Sequence, residues 1–152
     1  MLNTSLCYIE KDGAYLMIHR VKKKNDVNHD KWLGVGGKFE AGESPFDCAR
    51  REIFEECGVE ATDLKYRGIV TFVSDEYGTE YMHLFTATEY EGNIDFNCDE
   101  GNLEWVKKEN VKNLPIWEGD KIFFDLLDKE DRFFSLKLCY TGDKLTDYKI
   151  EF

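Results

Sequence analysis

Residues 5–10 and 14–21 are rich in apolar, aromatic and β-branched positions, and Lys11-Asp12-Gly13 lies between them. An Asp-Gly pair between two such runs predicts a β-hairpin. Residues 22–31 are polar and are expected to form a loop. Longer β-type segments follow at 64–74 and 80–90, separated by a polar turn at 75–79. A shorter strand is expected at 103–106, before a polar connection that ends near Pro115. From 119 to 129 the period changes. Ile122, Phe123, Leu126 and Leu127 fall at i, i+1, i+4 and i+5, the stripe of a helix packed on one side. The chain then closes with two further β-type runs, 133–140 and 145–152, around Thr141-Gly142-Asp143.

Residues 44–57 carry the clearest helical period. Ser44 suits the N-cap, Pro45 the first helical position, and Asp47 completes an S-x-x-D capping box. Phe46, Ala49, Ile53 and Cys57 recur at spacings of three and four and form one buried stripe. Gly58 fits the left-handed residue that ends a helix. Many strands with helices in two separate places imply an α+β fold, a mixed sheet covered by helices.

The polar side of this helix is chemically unusual. At about 100° per residue, Glu55 and Glu56 lie within roughly 60° of Glu52 on either side, so three carboxylates share a face. Like charges so spaced cost ~0.2–0.5 kcal/mol per pair, and the last turn of a helix disfavours anions. A cluster of hard oxygen ligands is what Mg²⁺ or Mn²⁺ requires, whereas a solvated acidic face is the structural alternative.

Composition supports both readings. The 152 residues contain 31 Asp and Glu against 20 Lys and Arg, a net charge of −11. That balance argues against sequence-independent nucleic-acid binding, which needs a cationic surface, but admits a small anionic substrate bridged by a metal. The five cysteines form no C-x-x-C pair and are expected to be reduced core thiols in a cytoplasmic protein. Residues 1–13 lack a basic flank and apolar stretch, so no secretory leader is expected, nor any membrane partner. With no repeat or linker, residues 1–152 are expected to form one domain.

Gly37, Glu43, and then Arg51-Glu52-Ile53-x-Glu55-Glu56-x-Gly58-Val59, with five and seven residues in the gaps, match the signature of the Nudix hydrolases at every defined position. The resemblance implies an α/β/α sandwich and hydrolysis of a nucleoside diphosphate linked to another group. It implies that Glu52, Glu55 and Glu56 bind the divalent ions, with Glu52 and Glu56 the main ligands and the carbonyl of Gly37 joining them. It also implies that Glu43 and Arg51 form a pair tying the loop to the helix. The residue that activates water stays open.

A second likeness lies outside the signature. Lys31-Trp32-Leu33-Gly34-Val35-Gly36-Gly37-Lys38 and the stretch from Trp105 through Trp117-Glu118-Gly119-Asp120 are similar to the MutT-like 8-oxo-dGTP diphosphatases. That similarity implies base stacking by Trp117, a hydrogen bond from the base to Asp120, and a distal metal ligand in Glu100. Substrate contact is further implied for Arg20, Leu33, Gly36, Lys38 and Phe72. Leu33 and Gly119 depart from the animal enzymes, which carry Asn and a second acid there. Packing for Trp117, a helix-start acid for Asp120 and solvated charge for Glu100 and Arg20 are the competing readings. His83 alternates with Tyr81 and Phe85 and is expected to be a wall or core residue. The function implied is Mg²⁺-dependent hydrolysis of an oxidised or ordinary purine nucleoside triphosphate to monophosphate and diphosphate, by a monomer or small homo-oligomer. Hydrolysis of ADP-ribose, diadenosine polyphosphates or capped RNA, and a non-catalytic nucleotide sensor, are the alternatives.

Overall fold

The computed structural model describes residues 1–152. Strands β1 (Leu2–Lys11) and β2 (Ala14–His19) form the expected hairpin. Then come β3 (Trp32–Leu33), β4 (Val35–Lys38), helix α1 (Pro45–Cys57), β5 (Glu60–Ala61), β6 (Lys65–Ser74), β7 (Gly78–Ala87), β8 (Tyr90–Glu91), β9 (Asn97–Cys98) and β10 (Gly101–Lys107). A 3₁₀ turn at Lys108–Asn113, helix α2 (Asp120–Lys129), β11 (Phe134–Thr141) and β12 (Lys144–Glu151) complete the chain.

One mixed sheet runs β12-β11-β6-β7-β1-β2-β10-β9. The β1–β7 and β6–β11 pairs are parallel, and the others antiparallel. β1 is the hub. Its first half lies between β7 and β4, and its last residues turn into β2. Residues Thr4–Ile9 are therefore buried without a break, because both faces of the strand are covered. Leu6 and Tyr8 face a core with Phe123, Phe124 and Leu127 of α2. Cys7 and Ile9 face the opposite core, with Ala49, Ile53 and Cys57 of α1. The sheet is thus sandwiched between helices, as expected.

Helix α1 begins with the full capping box. Asp47 N–H donates to Ser44 Oγ at 3.1 Å and Ser44 N–H donates to Asp47 Oδ2 at 3.0 Å. It ends at Gly58 with φ 75°, whose N–H reaches the Phe54 carbonyl. Helix α2 buries Phe123, Phe124 and Leu127, while Ile122 and Leu126 are half-buried. The Gly-rich segment before α1 was expected only as part of a motif, yet Val35–Lys38 is a strand, paired with β1 from Cys7 to Thr4. A Cβ at Gly36 would lie 1.9 Å from the Ser5 carbonyl oxygen, so only glycine lets β4 lie this close to β1. That pairing sets β4 directly beside α1.

Candidate active site

Helix α1 and strand β4 bring the signature residues together through Arg51. Its Nε and Nη2 donate to the two oxygens of Glu43 at 2.7 and 2.9 Å, a bidentate pair. Nη1 donates to Glu52 at 2.8 Å and to Glu55 at 3.2 Å, and Nη2 also reaches the Lys38 carbonyl at 2.9 Å. One guanidinium therefore ties the loop before α1, the end of β4 and two acids of the helix into one unit. The hydrogen bonds from Arg51 hold the Glu43 carboxyl below its ordinary range. Because these groups are partly exposed, the network's main effect is orientation rather than stability.

The three glutamates differ in surroundings. Glu55 is half-exposed and rests on Arg51. Glu52 lies under Gly37, where a Cβ would come within 2.5 Å of its carboxyl carbon. Burial raises the Glu52 carboxyl, with Arg51 opposing the rise. Glu56 turns inward, is only 9% exposed, and accepts from Gly36 N–H at 3.1 Å. Burial first, then its contact with Glu100, pushes the Glu56 carboxyl well above the usual range. Glu100, in the turn just before β10, thus stands beside Glu56 of α1. No three acidic, histidine or cysteine side chains form a ready-made cation cage, and Glu52 and Glu55 both accept from Arg51. The donor set still fits a hard divalent cation: all oxygen, partly buried, and with two adjacent carboxylates at Glu56 and Glu100.

Arg20 is not a free cation of a solvated run. It pairs with Asp26 at 2.8 Å and with Glu100 at 3.2 Å, and Lys23 approaches Glu100 at 3.7 Å. The loop after β2 is thereby anchored to the acidic end of the site. The same loop reaches the other end, where Asn28 accepts from the Trp117 indole N–H at 2.8 Å and Lys31 Nζ sits 4.6 Å from the Trp117 ring.

Trp117 is 9% exposed and meets Phe72 and Tyr140 edge-on, with centroids 5.5 and 5.3 Å away. Trp117 is thus a packed residue, and Lys31 covers part of its ring. Asp120 opens α2 and is 3% exposed. Burial, opposed by Lys31 and reinforced by Glu80, pushes its carboxyl up to about 8. Leu33 is half-buried between the two cores and pairs with Ile18. Gly119 donates its N–H to Tyr140 Oη at 2.7 Å, and a Cβ there would meet Leu138 at 2.5 Å. A larger residue at 119 would have to displace the ends of the Leu138 and Tyr140 side chains. The side chain of Lys38 is exposed, and within the protein its residue engages through its carbonyl.

Two groups of residues therefore stand out, acids at α1 and aromatics with a buried acid at α2, and the loop after β2 touches both. A family profile described as the NUDIX domain matches residues 2–127. The chain belongs to the Nudix family. A Bacillus subtilis (strain 168) protein named as an uncharacterized Nudix hydrolase, YvcI, is 28% identical over 150 residues, which is 95% of this chain and 91% of that one. An oxidized purine nucleoside triphosphate hydrolase of Danio rerio is 31% identical over 132 residues, 85% of this chain and 83% of its own. Among solved structures, a MutT protein of Bacillus halodurans superposes with a TM-score of 0.87 at 31% identity, covering 99% of this chain and 98% of that one. The mixed sheet between helices is thus the Nudix fold of MutT-like hydrolases.

Sequence reasoning missed three residues around the Nudix site. Tyr8 is completely buried, and its hydroxyl lies beside the Gly34 N–H without a hydrogen bond of good geometry. Asn28 orients Trp117, and Glu80 faces the same side of the sheet as Phe72. Alternation offered a signal for Glu80, because it stands in step with Met82 and Leu84 of the core face. The side chain of Asn28 is brought to Trp117 by the tertiary fold, which no local pattern reports. His83, expected as a wall or core residue, is half-buried and joins Tyr66 and Asn3 in a hydrogen-bonded chain.

Proposed function

We propose that this Nudix protein is a Mg²⁺-dependent pyrophosphohydrolase that cleaves purine nucleoside triphosphates, oxidised or not, to monophosphate and diphosphate. The observation that carries the reading is the pairing of Glu56 with Glu100, two adjacent carboxylates of which one is buried with a single backbone donor. At an effective dielectric of 20, two like charges 4 Å apart repel by ~4 kcal/mol, so such a pair calls for a cation or a proton, and Arg20 answers that need only on the Glu100 side. Glu52, Glu56 and Glu100, with the Gly37 carbonyl, would hold the metal, and Glu55 stands at the rim. A divalent ion there supplies charge that polarises a phosphoryl oxygen and lowers the pKa of a bound water.

The protein's own residues do the positioning. Arg51 fixes Glu52 and Glu55 in one orientation while Glu43 fixes Arg51. Gly36 holds Glu56 by its N–H, and the absence of a side chain at Gly37 leaves room for the Glu52 carboxylate. Phe72 and Trp117 offer aromatic surface to the base, and Asp120 offers it a polar contact. Arg20, which pairs with Glu100, and Lys38 would meet the phosphates once cations neutralise the acids. The likeness to the Danio rerio enzyme supports the oxidised-purine choice among Nudix substrates.

The test is incubation with 8-oxo-dGTP, dGTP, ATP and ADP-ribose, with and without Mg²⁺, followed by product identification. Diphosphate released only with Mg²⁺ and only from triphosphates is expected; no diphosphate from any of them would sink the proposal. A cytoplasmic location, a single domain over residues 1–152 and a monomer or small homo-oligomer belong to the same proposal. No helix is long and apolar enough to cross a membrane.

A further inference from the structure

Strand β7 directs a carboxylate toward the base end of the site. Glu80 is opposite Phe72 in the antiparallel β6–β7 ladder, so both side chains leave the sheet on the same face. Met82 and Leu84 follow on that face, against the core of α2. Thr4 Oγ1 donates to Glu80 Oε2 at 2.7 Å, and Lys38, paired with Thr4 across β1–β4, brings the nearest cation. Burial raises the Glu80 carboxyl despite both contacts.

Asp120 approaches from the other side, one turn after Trp117, and it feels the charge of Glu80. Its carboxyl is almost fully buried, yet no protein hydrogen bond holds it. Buried acceptors with open hydrogen-bonding capacity are costly unless a ligand completes them. The rings of Phe72 and Trp117, in edge-on contact beside these carboxyls, suit a flat aromatic ligand. An edge carrying N–H donors suits the carboxyls, each of which accepts through a carbonyl oxygen whether or not it is protonated.

We propose that Glu80 is a specificity-determining residue which, together with Asp120, selects a purine presenting two neighbouring N–H donors. Guanine-type bases offer that edge through N1–H and the 2-amino group, and adenine places an acceptor where one donor is needed. The inference rests on the reading above that a nucleobase lies against Trp117, but it concerns selection rather than hydrolysis.

The experiment compares the wild type with Glu80→Gln on dGTP and dATP, measuring kcat and KM separately. The wild type is expected to favour dGTP at least tenfold, and Glu80→Gln to lose most of that preference through KM with kcat retained. A dGTP/dATP ratio that Glu80→Gln leaves within twofold of the wild type overturns the proposal. Quenching of tryptophan fluorescence by GMP and by AMP gives a second readout that needs no catalysis and, in the wild type, no substitution. Tighter quenching by GMP, abolished in Glu80→Gln, supports the assignment even if no triphosphate is hydrolysed. Equal affinity for the two monophosphates in the wild type overturns it even if hydrolysis proceeds.

Discussion

Replacing Asp120 with Asn is expected to stabilise the protein in a pH-dependent way. Asp120 is 3% exposed, and burial lifts its carboxyl from an ordinary 3.8 to about 8, with Glu80 adding to the lift and Lys31 opposing it. Between those values the folded protein holds a proton that the unfolded chain has released. Stability from this residue is therefore fully present below pH 3.8, falls as pH rises, and levels off above about 8. Each pH unit in that window is worth ~1.36 kcal/mol. Across pH 5 to 8 the wild type should lose about 4 kcal/mol relative to Asp120→Asn, whose amide does not titrate. Urea unfolding of both proteins at pH 5, 6, 7 and 8 measures this difference directly, because every other titrating group is shared. At 152 residues the same gap corresponds to a melting-temperature difference on the order of 10 °C. If the two stability-versus-pH curves run parallel, Asp120 is not the buried, proton-binding acid described, and its assignment to the base pocket loses its physical basis.

Other expectations separate the site's parts. Gly36→Ala should compromise folding, seen as loss of soluble protein or a large drop in Tm, because its Cβ would meet the Ser5 backbone at 1.9 Å. Gly37→Ala should fold nearly as well but lose activity, since the obstacle there is the movable carboxylate of Glu52. Equal melting temperatures for the two variants would contradict this distinction. Arg51→Lys cannot reproduce the bidentate bond to Glu43 together with the bonds to Glu52 and Glu55, so kcat should fall about 10–100-fold with little change in Tm. Chelation with EDTA should abolish hydrolysis and leave the far-UV circular dichroism unchanged, with activity restored by Mg²⁺ or Mn²⁺.

What could be read in the sequence depended on whether the cause was local. Helix α1 announced itself because Ser44, Pro45 and Asp47 act within its first turn and Gly58 ends it through its own backbone, and each does its expected job. The β1–β2 hairpin and the helix after Gly119 were legible for the same reason. Strand β4 was not, because two glycines in four residues weaken any strand signal. Its pairing depends on the close approach to Ser5, a contact between distant parts of the chain. At the site, the shared face of Glu52, Glu55 and Glu56 followed from helical geometry, but their separate fates did not. Only the fold shows that Arg51 claims two of them while Glu56 turns toward Gly36 and Glu100. Arg20 is a similar case. Its neighbours in sequence suggest a solvated basic run, whereas Asp26 and Glu100 enclose it. Glu80 carried a weak signal through its period-two step with Met82, but the meaning of that step required Phe72 opposite it.

The central claim is that Glu56 and Glu100 together form the cation site on which the phosphates of a nucleotide depend. Titration of Mn²⁺ into the substrate-free protein, followed by electron paramagnetic resonance, tests it most directly. The wild type should bind the ion, and Glu56→Gln and Glu100→Gln should each weaken binding at least tenfold while keeping the native circular dichroism spectrum. Mn²⁺ affinity unchanged in both variants would contradict the account.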